Sequence, residues 1–179
     1  MPRLAAWFCL RSGGPTPLRE LDRVADEREL DARDRALARR LVGTEIRRRG
    51  TLRALVHHFS RGKPKPDLAT HLHLGLVQLF FLDRVPDHAA VSETLGAVRD
   101  SLGPSKVKYA NAVLRNAARA RCPGLSGDPR RDLVGRDLHL EEPIFQDPAE
   151  HPLLWFEDCL LYTSPSPRDQ RGSRMPSSA

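Results

Sequence analysis

Residues 67–85 read DLATHLHLGLVQLFFLDRV, and this run decides the fold. Leu68, Leu72, Leu74, Leu76, Val77, Leu79, Phe80, Phe81 and Leu82 place apolar side chains nearly all round a helix. A helix with no face left for water is the buried centre of a bundle. Pro86 closes the run, because proline disfavours helical backbone at the residue before it. Pro86 also suits the first turn of a following helix, PDHAAVSETLGAVRDSLG, which Gly103 stops.

Upstream, DARDRALARRLVGTEIRRRG (31–50) is the clearest amphipathic helix. Asp31 or Asp34 can accept the free N–H groups of its first turn. Leu37, Leu41, Val42 and Ile46 form one stripe, and Arg39, Arg40, Arg47, Arg48 and Arg49 lie mostly off it. Gly50 is expected to end this helix, and Thr51 to cap a short one carrying Leu52, Leu55, Val56 and Phe59. SRGKPKP (60–66) follows as a basic loop. Downstream, PSKVKYANAVLRNAARAR (104–121) is the last clear helix, with Val107, Ala110, Val113, Leu114 and Ala117 as its apolar stripe. Nearer the start, residues 3–10 suit a short helix, RSGGPTP breaks it, and Leu18, Leu21 and Val24 mark a weakly amphipathic one.

The expected fold class is therefore all-α: a compact bundle of five to six or more helices. Residues 31–121 form its core, with weak helices over 1–30. Residues 122–158 are turn-rich and acidic and read as an irregular linker. Residues 159–179, CLLYTSPSPRDQRGSRMPSSA, offer no core face and read as a disordered tail, similar to a translated adapter or vector segment.

Composition narrows the function. No apolar run approaches the ~20 residues of a membrane span. Cys9, Cys122 and Cys159 are scattered, which excludes a disulfide framework and fits a cytoplasmic protein. The net charge is +6 and unevenly spread. Residues 33–65 hold eleven Lys or Arg against Asp34 and Glu45, and residues 104–121 hold five bases and no acid. Residues 122–158 reverse the sign, with three arginines against nine acids. Two basic segments and one acidic one suggest a directed polyanion-binding face; the alternative is a set of solvated helix faces.

Catalytic chemistry finds no support. No Gly-x-Gly pattern follows a strand, Cys122 merely precedes a proline, and no loop is built to cradle phosphates. His71 and His73 diverge on a helix, as do His57 and His58, and no cysteine pair lies near them, so no metal site is expected. No catalytic residue and no cofactor is assigned, and the chain as given is not expected to be an enzyme.

Several stretches carry a family resemblance. DARDRALARRLVGTEIRRRGTLRALV, FLDRVPDHAAVSETL and YANAVLRNAAR match, in order, motifs of the NusB-type RNA-binding domain. They most resemble its version at the N-terminus of RsmB-like ribosomal RNA cytosine-C5 methyltransferases. The likeness covers roughly residues 31–121 and departs at Ser92, Ala110 and the N-terminus. DPAEHPLLWFED (147–158) is similar to the segment that joins the two domains in that family. The resemblance implies an N-terminal domain that docks RNA, expected to be ribosomal, while a methyltransferase domain absent from this chain performs the chemistry.

A stand-alone NusB-like transcription antitermination factor and a helical protein-interaction module remain as alternatives. The residues expected to contact RNA phosphates are Arg39, Arg40, Arg47, Arg48, Arg49, Lys106, Lys108 and Arg115. Pro86 is expected to turn the chain between packed helices, with His88 hydrogen-bonding across the joint and Asn111 tying down a loop. Oligomeric state is left open.

Overall fold

The computed structural model describes residues 1–12, 16–133 and 135–145. Six α-helices carry the fold: α1 (Pro2–Arg11), α2 (Pro17–Glu27), α3 (Ala32–Phe59), α4 (Pro66–Phe81), α5 (Asp87–Leu102) and α6 (Val107–Arg119). A 3₁₀ turn, Pro104–Lys106, leads into α6. Two short strands follow, β1 (Arg121–Pro123) and β2 (Leu138–Leu140), paired antiparallel with Cys122 opposite His139. The all-α reading holds, with this small hairpin as its one addition among the described residues. None of the described helices is long and apolar enough to cross a membrane.

The all-round apolar run is α4, and it occupies the centre. Every residue from His71 to Phe81 is buried, and α4 packs against α1, α3, α5 and α6. Leu72, Leu76, Val77 and Phe80 are fully enclosed. The helix stops at Leu82, whose backbone is extended, four residues before Pro86. Pro86 caps α5 rather than standing in its first turn. Gly103, with φ at 84°, ends α5 as its sequence position implies.

The core is larger than residues 31–121. Helices α1 and α2 join it through Ala5, Ala6, Cys9, Leu21, Val24 and Ala25. Ala5, Ala6 and Cys9 are small enough for α1 to lie close against α3 and α4, a packing that a short apolar run does not advertise. Trp7 fixes that contact: its indole N–H donates to the Asp67 carbonyl at 3.0 Å, and its ring stacks on His71 at 5.0 Å.

Gly50 does not end α3. The helix runs on to Phe59 with a kink at Arg48, where φ is −111° and ψ is 17°. An internal glycine costs a helix only about 1 kcal/mol relative to alanine. Leu41 and Val42 on one side of the kink, and Leu52, Leu55 and Val56 on the other, bury enough apolar surface to outweigh that. The Asp31 cap is as expected, its carboxylate accepting from Asp34 N–H at 2.6 Å.

The described residues of 122–145 are not an irregular linker. They fold back on the bundle and bury Leu133, Leu140 and Phe145 in the common core. Glu141 N–H donates to the Ala120 carbonyl at 2.9 Å, and Asp132 accepts from the Ser126 and Gly127 backbones. The apolar anchors are few and lack a period, so pattern alone does not reveal them. The expected tail (159–179) and the interdomain-like segment 147–158 lie outside the described residues.

Candidate nucleic-acid interface

The eight cations expected to meet RNA do not share one surface. Arg39 is exposed but ion-paired to Asp22 of α2. Arg49 makes a fork to Glu45, with Nε–Oε1 at 3.0 Å and Nη2–Oε2 at 2.8 Å. Arg48, at the kink, lays its guanidinium 5.6 Å over the Phe81 ring and against Gly135. Arg115 donates to Asn111 Oδ1 at 2.9 Å, so Asn111 serves its own helix rather than a loop.

Arg40, Arg47, Lys106 and Lys108 are exposed, and none has an acidic ion-pair partner among the described residues. Arg40 and Arg47 are seven residues apart, close to two turns, and fall on one side of α3. Arg40 stands near Asp83, whose carboxyl is held below the usual range by a hydrogen bond from Arg136 first, with Arg40 adding its charge. Lys106 and Lys108 sit elsewhere, in and just after the 3₁₀ turn. Ser101, at the end of α5, meets His71 in the first half of α4 at 2.7 Å. The 3₁₀ turn therefore lies at the end of the bundle where the 60–65 loop enters α4.

At the α4–α5 corner, His88 is exposed and has no hydrogen-bond partner among the described residues. The expected bond across the joint is made instead by Arg121. Its guanidinium donates to the Leu79 carbonyl and to the Asp87 carboxylate and lies 5.6 Å over the Phe80 ring. Pro86 turns the chain, and Arg121 ties the two helix ends together.

A cleft that the sequence reading did not single out opens between α1, the second half of α3 and the 60–65 loop. Its volume is about 1090 Å³. Arg11, Arg53, His57 and Lys63 line it, together with Arg49. Arg53, His57 and Lys63 have no acidic partner among the described residues, whereas Arg11 pairs with Asp67 at 2.6 Å. Glu45 and His73 also line it, joined at 3.0 Å. Among the described residues no group of His, Cys, Asp and Glu is placed to hold a metal ion.

The NusB family matches residues 16–119, more than half of the chain. The chain belongs to the NusB family. It is also similar to proteins named ribosomal RNA small subunit methyltransferase B. The relative from Xylella fastidiosa is 39% identical over 141 residues, covering 74% of this chain and 33% of its own. The relative from Vibrio cholerae is 34% identical over 119 residues, 64% of this chain and 27% of its own. A protein of Synechocystis, named as a probable member of the same group, is 34% identical over 107 residues, 58% and 24%. The chain thus spans a third or less of the length of these relatives. No solved structure matches it.

The family match spans the α3 residues that line the cleft. Their signal was present in the sequence: Arg49, Arg53 and His57 recur every four residues, which keeps them on one side of α3. The expected end of the helix at Gly50 split that series in two.

Proposed function

We propose that this chain is the RNA-docking portion of a longer ribosomal RNA cytosine-C5 methyltransferase. It holds the substrate RNA through backbone phosphates while a separate domain performs methyl transfer. One observation carries the reading. The similarity to a protein named for small-subunit ribosomal RNA methylation covers 74% of the chain, more than the NusB segment itself occupies. The excess of cations over acids supports a polyanion partner. Exposed arginines suit the role because a planar guanidinium matches two phosphate oxygens at once. Arg40, Arg47, Lys106 and Lys108 are the expected cations still available to RNA. Arg39, Arg49 and Arg115 would first have to leave Asp22, Glu45 and Asn111.

In this reading the chain itself supplies no nucleophile and no cofactor loop. Its contribution is to bind, orient and raise the local concentration of the RNA. A filter-binding titration of small-subunit ribosomal RNA fragments at several salt concentrations tests it. Affinity should fall steeply and log-linearly with salt, because each neutralised phosphate releases counterions. Binding that is absent, or indifferent to salt, refutes the docking role.

A further inference from the structure

We infer that the cleft between α1, the second half of α3 and the 60–65 loop takes a short single-stranded stretch of RNA with a base turned inward. This deepens the RNA-docking reading and rests on it. It assigns the strand to residues on the opposite side of α3 from Arg40 and Arg47. At about 100° per residue, Arg47 lies about 200° round the helix from Glu45, which faces the cleft.

Three features of the cleft fit an unpaired nucleotide. The rim is cationic: Arg53 and Lys63 have no acidic partner among the described residues and can meet phosphates, and His57 adds a ring beside them. The walls are apolar: Leu10, Val56, Pro64 and Pro66 give a base face a dry surface to lie on. The floor is polar. The Glu45 carboxylate takes the hydrogen bond of His73 Nδ1–H, so Nε2 is the ring nitrogen left, as an acceptor, for a donor on a base edge. A site for free phosphate would have no use for apolar walls and would not place a carboxylate beside its cations.

Size makes the same choice. At about 1090 Å³ the cleft is slightly larger than the usual small-molecule site, at roughly 300–1,000 Å³. It has room for a few unpaired nucleotides and none for an A-form duplex, which proteins meet across its shallow outer groove. Ser60 Oγ lies buried on the same wall without a hydrogen-bond partner, a polar group that an entering ligand could satisfy.

The test is a fluorescence-anisotropy titration of the full chain at several salt concentrations. The probes are a hexauridylate and an abasic phosphodiester of equal length and charge. Two double variants are compared with the parent chain, Arg53→Gln with Lys63→Gln, and Arg40→Gln with Arg47→Gln. All four positions are exposed, so a melting curve should show both variants folded.

Hexauridylate should bind at least tenfold more tightly than the abasic chain. The cleft variant should flatten the salt slope for hexauridylate by about one to two units, at ~0.7 per lost single-strand phosphate contact. The Arg40/Arg47 variant, with the same loss of charge, should change it by less than half as much. Equal binding of the abasic chain, or equal effects of the two variants, overturns the cleft assignment. If the chain binds long ribosomal RNA fragments but not hexauridylate, the cleft assignment fails and the docking role stands. If it binds neither, both fail.

Discussion

Glu45 on α3 and His73 on α4 meet in the interior, Oε1 to Nδ1 at 3.0 Å, with Glu45 only 3% exposed and His73 only 7%. Arg49 closes the group from the solvent side, bonding both Glu45 oxygens. A buried carboxylate survives only when its lone pairs are satisfied. Here two partners on two helices satisfy it, and the pair pins α3 to α4 beneath the basic cleft.

Glu45 should therefore govern stability in acid. Burial alone would raise its pKa, but hydrogen bonds from His73 and Arg49, reinforced by their charge, outweigh burial and hold it below the ordinary 4.5. A depressed folded-state pKa means that the stabilisation is complete above the unfolded value. It is lost as pH falls below about 4.5, through the lower folded value. Glu45→Gln should cost about 1–3 kcal/mol at neutral pH, because Arg49 and His73 lose a charged acceptor. It should also flatten the loss of stability below pH 4.5. Urea unfolding at a series of pH values measures both, and an acid limb as steep as the parent's would discount the network.

His71 should act in a higher window. Burial pushes its pKa down to about 4, with Asp67 opposing only in part. The unfolded chain then takes up a proton near pH 6.5, before the folded chain does. Stability is full above that pH and declines between 6.5 and 4. At ~1.4 kcal/mol per unit over this span, the decline reaches at most ~3.5 kcal/mol. His71→Phe keeps a ring against Trp7 and removes this titration, so its stability should be nearly flat from pH 6.5 down to about 4.5, where the Glu45 limb begins. A parent chain already flat between pH 6.5 and 4 would contradict the burial of His71.

Gly75 should be irreplaceable for a reason that helix propensity gets backwards. Gly to Ala inside a helix ordinarily gains up to about 1 kcal/mol. A Cβ on Gly75, however, would stand 2.7 Å from Leu114 Cδ2 and 3.2 Å from Thr94 Cγ2, both in fully packed side chains. Gly75→Ala should destabilise by about 1–3 kcal/mol through overpacking. Leu76→Ala, one residue on, should cost about 2–5 kcal/mol by the opposite route, a cavity. Chemical denaturation separates the outcomes; a more stable Gly75→Ala would mean that α4 and α6 are not in this contact.

The pattern in the sequence exposed what repeats and hid what does not. The α4 run, the Leu37–Ile46 stripe and the Gly103 stop are local and periodic, and each is where its residues imply. The packing of α1 depends on the small size of Ala5, Ala6 and Cys9 against distant partners. The fold of 121–145 depends on three isolated anchors and on backbone bonds such as Glu141 to Ala120. Neither leaves a periodic trace. The candidate site was legible as charge but not as geometry. Arginines can be counted from sequence, but which of them are neutralised depends on Asp22 and Glu45 meeting Arg39 and Arg49.

That distinction yields the last prediction, on long RNA. Arg40 and Arg47 share one side of α3, are exposed, and pair with no acid among the described residues. If, as proposed, the end of a ribosomal RNA fragment lies in the cleft, a fragment long enough to pass round α3 would still reach them. Replacing both by Gln should flatten the salt slope for such a fragment by about one to two units, somewhat under one unit per lost phosphate contact. Discrimination between RNA sequences should hardly change, since phosphates carry no sequence. Arg48 differs from them in kind. It covers Phe81 and lies where a side chain at Gly135 would stand, so Arg48→Gln should lower the melting temperature and leave the slope within about half a unit of the parent. Filter binding with the fragment and a thermal melt of each variant complete the comparison. A slope change for Arg48→Gln as large as that of the double variant would show that RNA binding senses only net charge and that the sides of α3 are not distinguished.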